Sequence, residues 1–150
     1  MLKDTLKEDL KIAMKAGNAE RVGVLRLLLS SLMNKEIEKR TKTGKDEALT
    51  DDETISVLMT EAKKRKDSIE AFEKGARADL ADKEKSELVI IQTYLPAQMS
   101  PADVEKRVAT MVKKNGYKDF SSAIKDVMKE MKGKADGKLV TELLKKMING

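Results

Sequence analysis

Apolar residues in this chain recur at three- and four-residue steps, and nowhere do they alternate for long with polar ones. A period near 3.6 lines one face of an α-helix, whereas a half-buried strand needs a period of two. Two prolines and 3% aromatic residues leave little material for a sheet. The spacing therefore predicts an all-α protein whose helices are separated by glycine, proline and capping residues. At 150 residues, the chain has room for one domain or two small ones.

The first helix is expected over about Leu2–Ala16, with Gly17-Asn18 as its stop. A second starts near Ala19 and carries Val22, Leu25, Leu29, Leu32 and Met33, widened by Leu27 and Leu28, which places it at the centre of the core. It is expected to fade into a polar loop at Lys39–Gly44. Thr50-Asp51-Asp52-Glu53 fits a capping box ahead of a third helix that presents Ile55, Leu58, Met59, Ala62, Ile69 and Phe72. A fourth follows Gly75 and runs out at Tyr94-Leu95, where Pro96 cannot continue it. Ser100-Pro101-Ala102-Asp103 then reads as an N-cap, a first-turn proline and a dipole-matched acid.

These adjacent signals predict a boundary, with a helical domain of about four helices over 1–96 and a small three-helix bundle over 97–150. In the bundle, Val104, Val108, Met111 and Val112 line the first helix, and Asn115-Gly116 ends it. Phe120, Ile124, Val127, Met128 and Met131 line the second, and Leu139, Val140, Leu143, Leu144, Met147 and Ile148 the third.

The chain has no cysteine and no histidine. That removes thiol nucleophiles, disulfides, the usual zinc ligands and the commonest general base near neutral pH. Ser30-Ser31 and Ser121-Ser122 lack the lysine and glycine-rich loop of a serine amidase. Asp51-Asp52 and Asp79/Asp82 are explained by first-turn helix charge and exposed faces. No catalytic residue, metal ligand or cofactor site is predicted. There is no secretory apolar stretch and no run near the roughly 18 residues of a membrane span. The expectation is a soluble, cytoplasmic protein with no membrane partner.

Charge is unevenly placed. Residues 100–150 carry 12 Lys+Arg against 7 Asp+Glu, an excess equal to the net charge of +5, while residues 1–99 balance. A basic domain beside a neutral one suggests a polyanionic partner, nucleic acid first. Lys63-Lys64-Arg65-Lys66 is read instead as a solvated face paired with Glu61, Asp67 and Glu70.

Within the basic part, Gly133-Lys134-Ala135-Asp136-Gly137-Lys138 is expected to form a tight helix-to-helix corner, with Gly133 as C-terminal cap and Asp136 as the next N-cap. It does not read as a nucleotide-binding P-loop: the glycine spacing is one short, Leu139 stands where a Ser/Thr is needed, and no strand precedes it. It does set Lys132, Lys134 and Lys138 beside a helix N-terminus, which suits a phosphate or carboxylate. Lys113 and Lys114 join them as candidate phosphate contacts, and Tyr117 is a candidate either to stack on an exposed base or to close the core edge.

Tyr94-Leu95-Pro96, the Ser100-Pro101 helix start and Gly133-Lys134-Ala135-Asp136-Gly137 together resemble the tail domain of the GatB/YqeY family. The run from Lys63 to Phe72, then Arg77 to Ala81 and Lys83-Glu84, is similar to the N-terminal half of stand-alone YqeY proteins. The resemblance covers nearly the whole chain. It implies an all-helical N-terminal domain followed by a small helical tail. It also implies a tail shared with the B subunit of the tRNA-dependent amidotransferase and with extensions of some glutaminyl-tRNA synthetases, where it helps hold tRNA. The transamidation and kinase chemistry of those relatives lies in other domains and subunits.

The expectation is thus a non-catalytic adaptor that binds tRNA or a tRNA-modifying or aminoacylating enzyme. Its site would comprise Lys113, Lys114, Tyr117, Lys132, Gly133, Lys134, Gly137 and Lys138. One alternative is an accessory factor for tRNA-dependent amidotransfer, a carbon–nitrogen ligase system with glutamine as amido donor, in which a partner supplies the nucleophile and ATP site. Another is a protein–protein module whose interface lies on the N-terminal helices.

Overall fold

A computed structural model describes residues 1–149. The described residues form seven α-helices and no strand: α1 (Leu2–Lys15), α2 (Ala19–Thr43), α3 (Asp51–Lys74), α4 (Ala78–Gln92), α5 (Pro101–Asn115), α6 (Phe120–Met131) and α7 (Gly137–Asn149). The chain divides into two compact units, one from Met1 to Leu95 and one from Pro96 onward.

In the first unit α1 packs on α2, and α3 on α4. Leu6, Leu25, Leu28, Leu32, Leu58 and Ile91 are fully buried at its centre, each contributing roughly 1.5–3 kcal/mol relative to exposure. Two expectations about α2 are corrected. The helix does not fade at Lys39 but continues to Thr43. No breaker interrupts residues 39–43, Lys39 Nζ reaches Glu53 Oε1 at 2.8 Å, and only Gly44, at φ 71°, ends the helix. Met33, expected inside, is 58% exposed, because one side of the helix already fills the core through Leu25, Leu28 and Leu32.

The capping box forms in full. The Glu53 N–H donates to Thr50 Oγ1, and the Thr50 N–H donates to Glu53 Oε1, both at 3.1 Å. In the basic run of α3, Arg65 turns inward and donates to Glu84 Oε2 at 2.9 Å and to Glu87, both on α4. Lys64 Nζ donates to Glu61 Oε1 at 3.2 Å. Arg65 therefore fastens α3 to α4, while Lys63, Lys64 and Lys66 stay exposed.

The second unit is built on α5, α6 and α7 around Val104, Val108, Val127, Met131, Val140 and Leu144. Ser100 caps α5, its Oγ accepting from the Asp103 N–H at 3.2 Å, and Gly116 closes that helix at φ 54°. Asp119 caps α6 through the Ser122 N–H at 2.8 Å.

Candidate nucleic-acid interface

The corner between α6 and α7 is a turn with a specific backbone need. Lys132 (φ −56°, ψ 126°) and Gly133 (φ 80°) are its central residues, and the Lys134 N–H donates to the Met131 carbonyl at 2.9 Å. These are the dihedrals and the bond of a type II turn, which takes glycine at its second central position. The C-cap of α6 is therefore Lys132, and Gly133 is the left-handed residue one step beyond it. Gly137 has no such demand. It opens α7, and a Cβ there would lie 3.4 Å from Met128 Cε of α6.

The corner is tied to the start of the same unit. The Met99 N–H donates to the Lys134 carbonyl at 2.9 Å, and Gln98 Nε2 donates to the carbonyls of Gly133 at 2.6 Å and Pro96 at 2.8 Å. Asp136 Oδ1 accepts from the Lys138 N–H at 3.2 Å. The N-terminus of α7 is thus already capped by the chain's own carboxylate, which weakens it as a phosphate cradle. What the corner offers an anion is the exposed side chains of Lys132, Lys134 and Lys138.

The other candidates stand elsewhere. Lys113 and Lys114 occupy the last turn of α5, while Met99 holds the corner at the opposite end of that helix. At 1.5 Å rise per residue, the two ends are about 20 Å apart, so the expected lysine set is not one patch. Tyr117 packs against the second core. Its hydroxyl donates to the Asp126 carboxylate and accepts from Asn115 Nδ2 at 2.9 Å, so its ring is a core-edge element rather than an open stacking platform.

The helix faces reveal a different grouping. Asp126 and Glu130 lie on the side of α6 toward α5, where Asp126 holds Tyr117, and Arg107 Nε donates to Glu130 Oε1 at 2.8 Å. Lys125, Lys129 and Lys132 follow at steps of four and three along another face, all exposed. On α7, exposed Lys138 and Lys145 are two turns apart. Lys145 Nζ sits 5.7 Å from the Phe120 ring centroid at one end, and Gly137 lies beside Met128 at the other. These contacts run α7 antiparallel to α6 and lay its lysine row beside that of α6, with Glu142 on the same stretch. Lys125, Lys129 and Lys145 were not among the sequence candidates. Their signal was the helical period applied to charge instead of to apolar residues.

Among the described residues no group of three or more acidic side chains is placed to hold a metal ion. No helix among them is long and apolar enough to cross a membrane.

A protein-family model described as "Yqey-like protein" matches residues 3–148. Similar proteins include three named "Altered inheritance of mitochondria protein 41, mitochondrial". That of Lachancea thermotolerans is 39% identical over 133 residues, covering 87% of this chain and 68% of the relative. That of Vanderwaltozyma polyspora is 34% identical over 128 residues, covering 84% and 66%. That of Kluyveromyces lactis is 34% identical over 142 residues, covering 93% and 72%. These names overturn the cytoplasmic expectation, because they place the relatives in mitochondria. That expectation rested on a missing secretory apolar stretch, which does not separate the cytosol from a mitochondrial interior.

Proposed function

The chain belongs to the Yqey-like protein family, and on that premise we propose that it is a non-catalytic adaptor that binds tRNA or attaches to a tRNA-handling enzyme. The observation that carries this is the paired lysine rows of α6 and α7, on the part of the chain that holds the whole net charge. The acids of α6 are occupied by Arg107 and Tyr117 and do not oppose an anion on the lysine face. The proposed contact residues are Lys125, Lys129, Lys132, Lys134, Lys138 and Lys145. Lys113 and Lys114 stand in the last turn of α5, at the end away from the corner, and are not among the proposed contacts.

Lysine contacts to phosphate give affinity and steep salt dependence but little sequence discrimination. Selectivity would come from the shape of a folded RNA. Anisotropy of labelled tRNA with the intact chain, titrated at several salt concentrations, tests the reading. Saturable binding that weakens linearly on a log–log salt plot is expected, and no binding near physiological salt would exclude direct contact.

A second reading is favoured by Leu27, Met33 and Ile37, which are 38%, 58% and 51% exposed on α2. Apolar side chains in that number on one helix suit a protein partner. That partner could be an enzyme of amidotransfer that supplies the nucleophile and ATP site. Recovery of a protein without RNA in a pull-down would favour this reading over the first.

A further inference from the structure

We propose that the cleft between α2 and α3 binds a small zwitterion of the free amino-acid class. The cleft has a volume of about 340 Å³, at the lower end of the usual range for small-ligand sites. From α2 it is lined by Ser31, Asn34, Lys35 and Glu38, and from α3 chiefly by Val57, Thr60, Glu61 and Lys64. Each set follows the i, i+3, i+4, i+7 pattern of a single helix face. Where two helices pack, such faces are normally apolar, yet Val57 is the one apolar residue of these eight.

The floor of the cleft is a carboxylate. Glu61 is only 8% exposed. It accepts from Ser31 Oγ at 3.1 Å and from Lys64 Nζ at 3.2 Å. Both bonds land on Oε1, and Oε2 takes neither. Oε2 is open to the cleft, and a carboxylate shielded on its other sides favours a positive charge there. The Lys64 side chain is 67% exposed, so its ammonium remains largely in solvent and compensates in part. A ligand ammonium at Oε2 would complete the compensation.

The remaining groups sort by donor and acceptor. Ser56 Oγ and Thr60 Oγ1 spend their protons on the carbonyls of Asp52 and Ser56, each at 3.1 Å. Each therefore offers only lone pairs to a ligand, which suits N–H donors. Lys35, Lys64 and Asn34 supply the donors for a carboxylate at the rim. Among the lining residues Lys35 and Lys64 balance Glu38 and Glu61, with Lys35 and Lys42 both bonded to Glu38 at 3.4 and 2.9 Å, so the cleft presents both signs of charge and suits a ligand whose opposite charges are held apart. None of this rests on the RNA reading.

The test is a ¹⁵N–¹H shift titration of the intact chain with glycine and with L-lysine, using methylammonium and acetate as single-charge controls. Saturable shifts are expected at the amides of Ser31, Asn34, Thr60, Glu61 and Lys64, with α5–α7 unmoved and both controls far weaker. Glu61→Gln is expected to weaken binding about tenfold or more, the loss of a charge-assisted bond. Thr60→Val, at an exposed position, is expected to weaken it more mildly while leaving the fold intact. No saturation by concentrations on the order of 10 mM, where a millimolar site would fill, would overturn the proposal. So would equal binding by Glu61→Gln and Thr60→Val, or a response to either control as strong as to glycine.

Discussion

The hydroxyl of Tyr94 donates to Asp9 Oδ2 at 2.6 Å. The Tyr94 hydroxyl oxygen in turn accepts from Arg21 Nη2 at 2.8 Å, and the Arg21 guanidinium lies 5.9 Å from the ring centroid. One aromatic side chain thus holds the segment after α4 against α1 and α2. The Tyr94-Leu95-Pro96 element, prominent in the family resemblance, therefore has a structural task within the first unit.

Burial first, and the Asp9 hydrogen bond second, push the Tyr94 phenol up to about 12. Burial and then Asp126 also raise the phenol of Tyr117. Spectrophotometric titration near 295 nm should show no tyrosine ionising at the ordinary value, and Tyr94→Phe should delete the step near 12. A raised folded value means that the folded state holds the proton longer. This contribution to stability is intact below about pH 10 and is lost as pH rises toward 12. At neutral pH, Tyr94→Phe is expected to cost about 1–2 kcal/mol in urea unfolding, as two bonds to charged groups are removed from a partly exposed site.

Glu53 sets an acid-side dependence. Its hydrogen bond from Lys39, followed by the Thr50 backbone N–H, lowers its carboxyl from 4.5 to about 2. The unfolded chain then binds the proton more readily, so the contribution is complete above the ordinary value and disappears as pH falls toward 2. Glu53→Gln should be less stable at neutral pH and should lose less on acidification. Urea midpoints at pH 6 and about pH 3 measure this. A slope still remains, because Glu38, Glu70, Asp79 and Asp119 are also lowered by their partners.

The two glycines of the corner should separate cleanly. Gly133→Ala places a Cβ at φ 80° and should cost about 1–2 kcal/mol. Gly137→Ala meets only the flexible end of Met128 and should stay within about 0.5 kcal/mol of the parent. Thermal unfolding of both variants decides, and equal losses would contradict the type II turn as the reason for Gly133.

Arg65 compensates two carboxylates at once. The side chains of Arg65, Glu84 and Glu87 are 17%, 18% and 14% exposed. Arg65→Leu leaves both acids without their cation and should cost about 2–4 kcal/mol. Adding Glu84→Gln and Glu87→Gln to Arg65→Leu should recover part of that loss, which urea unfolding of the triple variant would show.

The helices were legible because their signals are local. Thr50 and Glu53, Ser100 and Asp103, and Gly116 announce helix ends through bonds that span only a few residues. The end of α2 was not legible, because the Lys39–Glu53 bond that accompanies it crosses to another helix. The corner's backbone was half legible: Gly133 was marked as special, but which turn it served depends on Lys132. The lysine grouping was the least legible. Neighbours in sequence such as Lys113 and Lys114 look like one site with the corner until Met99 fixes which end of α5 the corner touches. The Glu61 cleft gave no sequence signal, since its two faces lie on different helices.

Neutralising the α6–α7 lysines and, separately, those at the end of α5, and measuring tRNA affinity of the intact chain against salt, tests the interface most directly. Each lysine that truly contacts a phosphate should reduce the log–log slope by about 0.7–0.9. Replacing Lys125, Lys129, Lys138 and Lys145 with Gln should therefore flatten the slope by about 3, while replacing Lys113 and Lys114 should leave it unchanged. A slope untouched by the first set, or reduced as much by the second, would contradict the α6–α7 face as the site of RNA contact.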